Sequence, residues 1–209
     1  MCPAVGIDFM LYGASDKDKT TVQSILNRYK GKPYFDSDID KGEGAKVIIS
    51  ETLDLPDDVW VCCIDLSKKG VMKIISDSRM GIIYYDEPDR QILLEQLVLM
   101  VSGPHSMDSD YADIIPILEK GCRFSWAECR DEEIKDCGIQ LTRVAMKESE
   151  TRETEFFIQI TSDSLLQSWE LFGAYEEMGE FKRLSFVPQV LYAEDDADLS
   201  MIALFFPLK

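Results

Sequence analysis

The sequence predicts an α/β protein with a reduced N-terminal parallel or mixed α/β layer, one long central helix, and a C-terminal α+β subdomain built on a mostly antiparallel sheet. Three observations predict it. Strand-like and helix-like stretches alternate over residues 1–87, the pattern that builds a parallel sheet with helices on its faces. The stretch 88–102 is apolar over much of its circumference and reads as a helix buried on several sides. The last third returns to short apolar strands set around one amphipathic helix.

Taken in order, Val5–Tyr12 is an apolar strand, and Lys19–Lys30 places Val22, Ile25, Leu26 and Tyr29 at helical spacing. Gly31–Ala45 is polar and contains glycine, and reads as a loop or mobile excursion. Lys46–Ser50 and Val59–Leu66 are strands, Ser67 is placed to cap a short helix through Ser76, and Met80–Tyr85 is a further strand. Pro88, flanked by Asp86, Glu87 and Asp89, suits the positive end of the central helix dipole. Gly103-Pro104 stops that helix, and Asp108–Asp113 leads into another that finishes at Gly121. Beyond it, Ile139–Met146 and Glu155–Thr161 read as strands flanking the charged turn Lys147–Glu153. Ser164–Met178 reads as a helix carrying Leu165, Trp169 and Phe172, and Leu184–Tyr192 and Leu199–Phe206 as the last two strands. The tail thus reads β-β-α-β-β, and the domains expected are 1–87, 88–121 and 122–209.

Composition narrows the function classes. The chain carries 22 Lys+Arg against 39 Asp+Glu, a net charge of -17, which repels a phosphate backbone or an anionic bilayer, so neither nucleic acid nor membrane is expected as a partner. No apolar run approaches the roughly 20 residues that span a bilayer. The opening Met1-Cys2-Pro3-Ala4 lacks the layout of a signal peptide, and a cytoplasmic location is expected. The six cysteines show no Cys-x-x-Cys spacing; Cys62 and Cys63 lie inside an apolar run and read as reduced core residues. Cys122, Cys129 and Cys137 are loosely spaced, and the single histidine, His105, lies well upstream, so no metal is expected.

Three local patterns bear on chemistry. Gly13-Ala-Ser-Asp-Lys-Asp18-Lys19-Thr20 lies between a strand and a helix, where a phosphate-binding loop belongs. Such a loop needs glycine before its lysine so that bare N–H groups wrap the anion; Asp18 stands there, Asp16 adds a second like charge, and the segment reads as an ordinary turn. Asp36-Ser-Asp38-Ile-Asp40 alternates carboxylates as a calcium loop does, but Lys41 replaces the sharp-turn glycine and Val47 the closing Glu, leaving a solvated acidic loop. His105 sits in a turn and offers no triad. In the segment 91–121, Asp110 is placed to cap the helix that follows, and Asp113 falls in its first turn, where acid is favourable.

That segment and the tail together resemble the tubulin/FtsZ superfamily over residues 88–209. In FtsZ-type proteins a long central helix runs into a loop of the form Asn-x-Asp-Phe-Ala-Asp, followed by a helix ending in Gly. Here Leu93–Ser102 is followed by Asp108-Ser-Asp110-Tyr111-Ala112-Asp113 and Ile114–Gly121. Phe157–Thr161, Ser164–Met178, Ser185–Tyr192 and Leu199–Phe206 resemble that family's closing strand, helix and two strands. The resemblance implies that Asp110 and Asp113 match loop acids that reach into the next subunit of a filament and help position the attacking water, while Asp108 stands where Asn is usual. It departs from the family in having no Gly-Gly-Gly-Thr-Gly-Thr-Gly signature, and the stretch before the central helix is short for a whole nucleotide half. The resemblance therefore implies a subunit without a cofactor or nucleotide of its own, a monomer or small oligomer. Through Asp108, Asp110, Tyr111 and Asp113 it would meet a protein partner, an FtsZ/tubulin-like GTPase. Two rivals stand beside this reading. One is an α/β enzyme or small-molecule-binding protein with a dispersed site near Gly13, Asp65 or Asp86 at the strand ends. The other is an acidic antagonist of a basic protein surface.

Overall fold

The computed structural model describes residues 7–29, 37–39, 45–52, 62–76, 79–102, 111–149, 155–162, 169–174, 183–190 and 199–208. The chain forms two compact units, Met1–Pro104 and His105–Lys209.

In the first unit, β1 (Ile7–Tyr12) is followed by α1 (Asp16–Tyr29), β2 (Ser37–Ile39), β3 (Ala45–Ser50), β4 (Cys62–Lys68), β5 (Val71–Ser76) and β6 (Arg79–Tyr84). A single 3-10 turn, Glu87–Asp89, then opens α2 (Arg90–Ser102). The strands lie in the order β2-β1-β3-β4-β5-β6. The first four are mutually parallel, and β5 and β6 continue as an antiparallel meander. The chain leaves β1 toward β2 on one side and returns to β3 on the other, so the order reverses at the β1/β3 boundary. Such switch points open a crevice at the carboxyl ends of the strands. As the sequence predicts, α2 is buried nearly all round: Leu93, Leu94, Gln96, Leu97, Val98 and Leu99 are all fully buried.

Two expectations for this unit are corrected. The helix expected from Ser67 to Ser76 is the end of β4, a two-residue turn at 69–70, and β5. Gly70 turns the chain at φ 71, and the β-branched Val71, Ile74 and Ile75 then pack as a strand. The Ser67 N–H is spent on Asp65 Oδ1 at 2.8 Å, a local turn rather than a helix start. Within the expected loop 31–45, Ser37–Ile39 forms β2 and pairs in parallel with Ile7–Phe9. The other residues of the expected acidic calcium-like loop, 36 and 40–44, lie outside the described residues.

In the second unit, α3 (Tyr111–Leu118) is followed by β7 (Cys122–Arg130), a 3-10 turn at Asp131–Glu133 and α4 (Ile134–Ser149). Then come β8 (Glu155–Ser162), a helical segment at 169–174, β9 (Arg183–Val190) and β10 (Leu199–Pro207). The strand order is β7-β10-β8-β9, with β10 antiparallel to both neighbours and β8 parallel to β9. The expected strand Ile139–Met146 is instead the middle of α4. Its β-branched residues suggest a strand, but burial recurs at Ile134, Gly138, Thr142 and Ala145, the helical period, while Val144 is left exposed. The missed strand is β7, so the tail runs β-α-β-helix-β-β. Of the expected helix Ser164–Met178, residues 169–174 are helical and the remainder lie outside the described residues.

The core of this unit has two layers. Phe205 is in register with Phe124 on β7 and Phe157 on β8, with ring centroids 5.3 and 5.4 Å apart. On the other face, Ile202, Leu204 and Phe206 join Phe156, Ile158, Ile160 and Leu171, and α4 contributes Ile134 and Ala145.

Candidate functional site

The crevice at the β1/β3 boundary is built by short-range rules. Gly13 follows β1 at φ 63, a conformation that disfavours side chains, and a Cβ there would meet Thr52 Cγ2 at 3.0 Å. The backbone N–H of Glu51 donates to Tyr12 O at 3.3 Å, which ties the end of β3 to the end of β1. Ser15 caps α1: its Oγ accepts the Asp18 N–H at 3.2 Å, and its carbonyl accepts the first helical bond from Lys19 at 3.0 Å.

Asp18 is fully buried in the first turn of α1. Its carboxylate accepts the Ser15 hydroxyl at 2.7 Å, Arg90 Nη2 at 2.9 Å and the Gln91 amide at 3.3 Å, and it also pairs with Arg90 Nη1. Arg90 Nη2 reaches Glu51 Oε1 as well, at 3.2 Å. Gln91 is held in turn by the hydroxyl of Thr21. Arg90 arrives here because β6 runs parallel to β4 across two antiparallel steps, so its end lies at the same sheet edge as the ends of β1 and β3.

The two carboxyls titrate in opposite directions. Burial alone would raise Asp18, but hydrogen bonds from Arg90 and Ser15, and the Arg90 charge, hold it below the usual carboxylate range. Glu51 is pushed up, first by burial and then by the neighbouring Asp18 carboxylate, against the pull of Arg90. Arg90 is raised, chiefly by its bond to Asp18. The positive end of a helix and a guanidinium converging on one point make an anion site. Here the protein's own carboxylate fills it.

The residues singled out from sequence fall as follows. The Gly13–Thr20 segment is a strand-to-helix turn, as read, and the carboxylate of its Asp18 meets a guanidinium. What the sequence did not disclose is that Asp18 is paired with Arg90, 72 positions on. Of the strand-end candidates, Gly13 belongs to this crevice. Asp65 lies in register with Ser50, which is in register with Tyr12, but is occupied by Ser67 and by Lys73 Nζ at 3.3 Å, which together hold it low against its burial. Asp86 precedes the 3-10 turn that delivers Arg90. Asp108, Asp110 and His105 lie outside the described residues, and Tyr111 and Asp113 stand in the first turn of α3. Among the described residues, no group of three or more His, Cys, Asp or Glu is arranged to hold a metal, and no helix is long and apolar enough to cross a membrane.

No protein-family model matches the sequence, and no curated protein sequence matches it. In structure, the chain is similar to a tryptophan-to-tyrosine mutant of FtsZ from M. jannaschii, with TM-score 0.45 and 12% identity over 58% of this chain and 38% of that one. It is also similar to an empty FtsZ dimer from the same organism, with TM-score 0.44 and 10% identity over 98% of this chain and 54% of that one. A third likeness is to TubZ of Bacillus thuringiensis serovar israelensis in a GTPγS-form protofilament, with TM-score 0.34 and 11% identity over 96% of this chain and 60% of that one. The chain spans between 38% and 60% of the length of these proteins.

Proposed function

We propose that this chain is a non-enzymatic FtsZ/tubulin-like interaction or assembly protein that binds, caps or regulates a cytoskeletal GTPase filament. The observation that supports it is the filled crevice. The position that would cradle a phosphate in this part of an α/β sheet already holds the Asp18 carboxylate, neutralised by Arg90. A second anion there meets a negative charge and displaces a buried ion pair. The Asp-aromatic-Ala-Asp segment at the start of α3 supplies the partner class by its sequence resemblance, and Asp110 and Asp113 are the acids offered to a nucleotide held by that partner.

The test has two arms. Fluorescent GTP with magnesium shows no saturable binding to the purified chain; micromolar affinity overturns the reading. In the second arm the chain is added to a polymerising FtsZ-type GTPase, and polymer mass and phosphate release are followed. A change in either that Asp110→Ala and Asp113→Ala abolish supports the role, and no change at stoichiometric addition overturns it.

A second reading, a small-molecule site at the same sheet edge, is favoured by one observation. Glu51 is half-buried rather than enclosed, and burial and the Asp18 carboxylate raise its pKa above the ordinary carboxylate value, beside the cation Arg90. A ligand whose binding is lost in Glu51→Gln while the fold is retained supports it.

A further inference from the structure

We propose that Cys129 and Cys137 form a peroxide-driven thiol–disulfide lock that fastens the first turn of α4 to the end of β7. Cys129 is the penultimate residue of β7 and faces the core cluster of the second unit. Cys137 lies one turn into α4, on the stripe with Ile134 and Leu141, and packs against the same cluster. The two thiols therefore share one core cluster, and Cys137 is close enough to perturb Cys129.

Exposure selects the pair and sets the order of events. Of the five described cysteines, Cys62, Cys63, Cys122 and Cys129 are buried, and Cys137 alone is half-buried. The adjacent Cys62 and Cys63 point to opposite faces of β4 and have no cysteine opposite them in register. Burial, the Cys137 thiol and the acids Glu133 and Asp131 push Cys129 up to about 12, so it is a poor first nucleophile. Cys137 therefore meets the oxidant. Its sulfur attacks one peroxide oxygen, the S–O bond forms as the O–O bond breaks, and hydroxide leaves and takes the thiol proton as water, giving a sulfenic acid. The Cys129 sulfur, in the same core cluster, attacks the Cys137 sulfur; the S–S bond forms, the S–O bond breaks, and a second water carries off the Cys129 proton. Two thiols lose two electrons, and one peroxide becomes two waters.

The experiment uses the full chain with Cys2→Ser, because Cys2 lies outside the described residues. Stoichiometric hydrogen peroxide on the folded protein lowers the intact mass by about 2 Da. A non-reducing tryptic digest then yields residues 124–130 linked to residues 136–143. Cys137→Ser abolishes the link, and Cys129→Ser leaves a dimedone-reactive sulfenic acid on Cys137. Oxidation slows amide exchange in the first turn of α4, and dithiothreitol reverses it. Stepwise addition of oxygen to Cys137 with Cys129 still reduced, linkage to any other cysteine, or a link that leaves amide exchange in that turn unchanged overturns the proposal.

Discussion

Replacing Asp18 by alanine tests the crevice directly. The Asp18 side chain is 0% exposed and that of Arg90 19%. Removing the carboxylate leaves the guanidinium with Glu51, at 3.2 Å and 33% exposed, as its carboxylate partner among the described residues. Breaking a buried pair from one side costs about 3–5 kcal/mol, because the surviving charge stays buried without compensation. Glu51 and the remaining access of Arg90 to water place the loss at the low end, about 3 kcal/mol. Against a total of about 5–15 kcal/mol for a domain, that is a large share. With a urea m-value of about 2 kcal/mol/M, the midpoint of the transition followed by circular dichroism falls by about 1.5 M. Because the pair is buried, the loss persists when salt is raised from 0.15 to about 1 M. Asp18→Leu with Arg90→Met, which removes both charges, recovers most of it. A loss below about 1 kcal/mol in the single variant, or a double variant no better than the single, refutes the reasoning. Should Asp18→Ala not fold, Asp18→Asn keeps the shape and loses about 2 kcal/mol.

Gly13→Ala forces a side chain into φ 63 and against Thr52 Cγ2, and lowers stability by about 1–2 kcal/mol; Thr52→Ala in the same chain relieves the contact but not the dihedral, so chemical denaturation shows partial recovery. Phe205→Ala removes the ring shared by Phe124 and Phe157 and costs about 3–5 kcal/mol by the same assay. Glu95, held by Arg28 at 2.9 Å, is nonetheless raised by burial. Its folded pKa lies above an unfolded value of about 4.3, so the stability it contributes is present below that value and lost as pH rises through the folded pKa. Glu95→Gln therefore exceeds the parent in stability at pH 7, and the two pH profiles converge below about pH 4. Asp18 behaves oppositely: with its folded pKa depressed, its contribution is present above about pH 3.9 and disappears as pH falls through the folded value, so Asp18→Asn flattens the acid limb.

The fold was legible where one face or the whole surface of an element was apolar. α2 was readable because its circumference is apolar, and β1, β3, β8 and β10 because short apolar runs bounded by polar segments have few alternatives. The errors share a cause. Ser67–Ser76 and Ile139–Met146 both mix β-branched and polar residues, and propensity within such a window does not decide the period. Tertiary context decided them: Gly70 permits a turn that returns β5 onto β4, and the periodic burial of Ile134, Gly138, Thr142 and Ala145 requires a helix against β7 and β10. β7 was missed because Arg123, Glu128 and Arg130 interrupt its apolar alternation, although Cys122, Phe124 and Cys129 are buried.

Of the site, one carboxylate was legible in the sequence and its partner was not. A carboxylate where a phosphate loop needs glycine is one letter, and from it follows that the turn repels the ligand its position suggests. Its partner carries no local signal, since Arg90 is one of 22 basic residues and merely opens a helix. Topology selects it: the ends of β1, β3 and β6 meet one edge, and the first long cation after β6 falls opposite the first turn of α1. An acid at that edge poised for catalysis would keep a face open to a reactant. Asp18 instead has its oxygens taken up by Arg90, Ser15 and Gln91 and retains no exposure, so its charge is compensated within the chain.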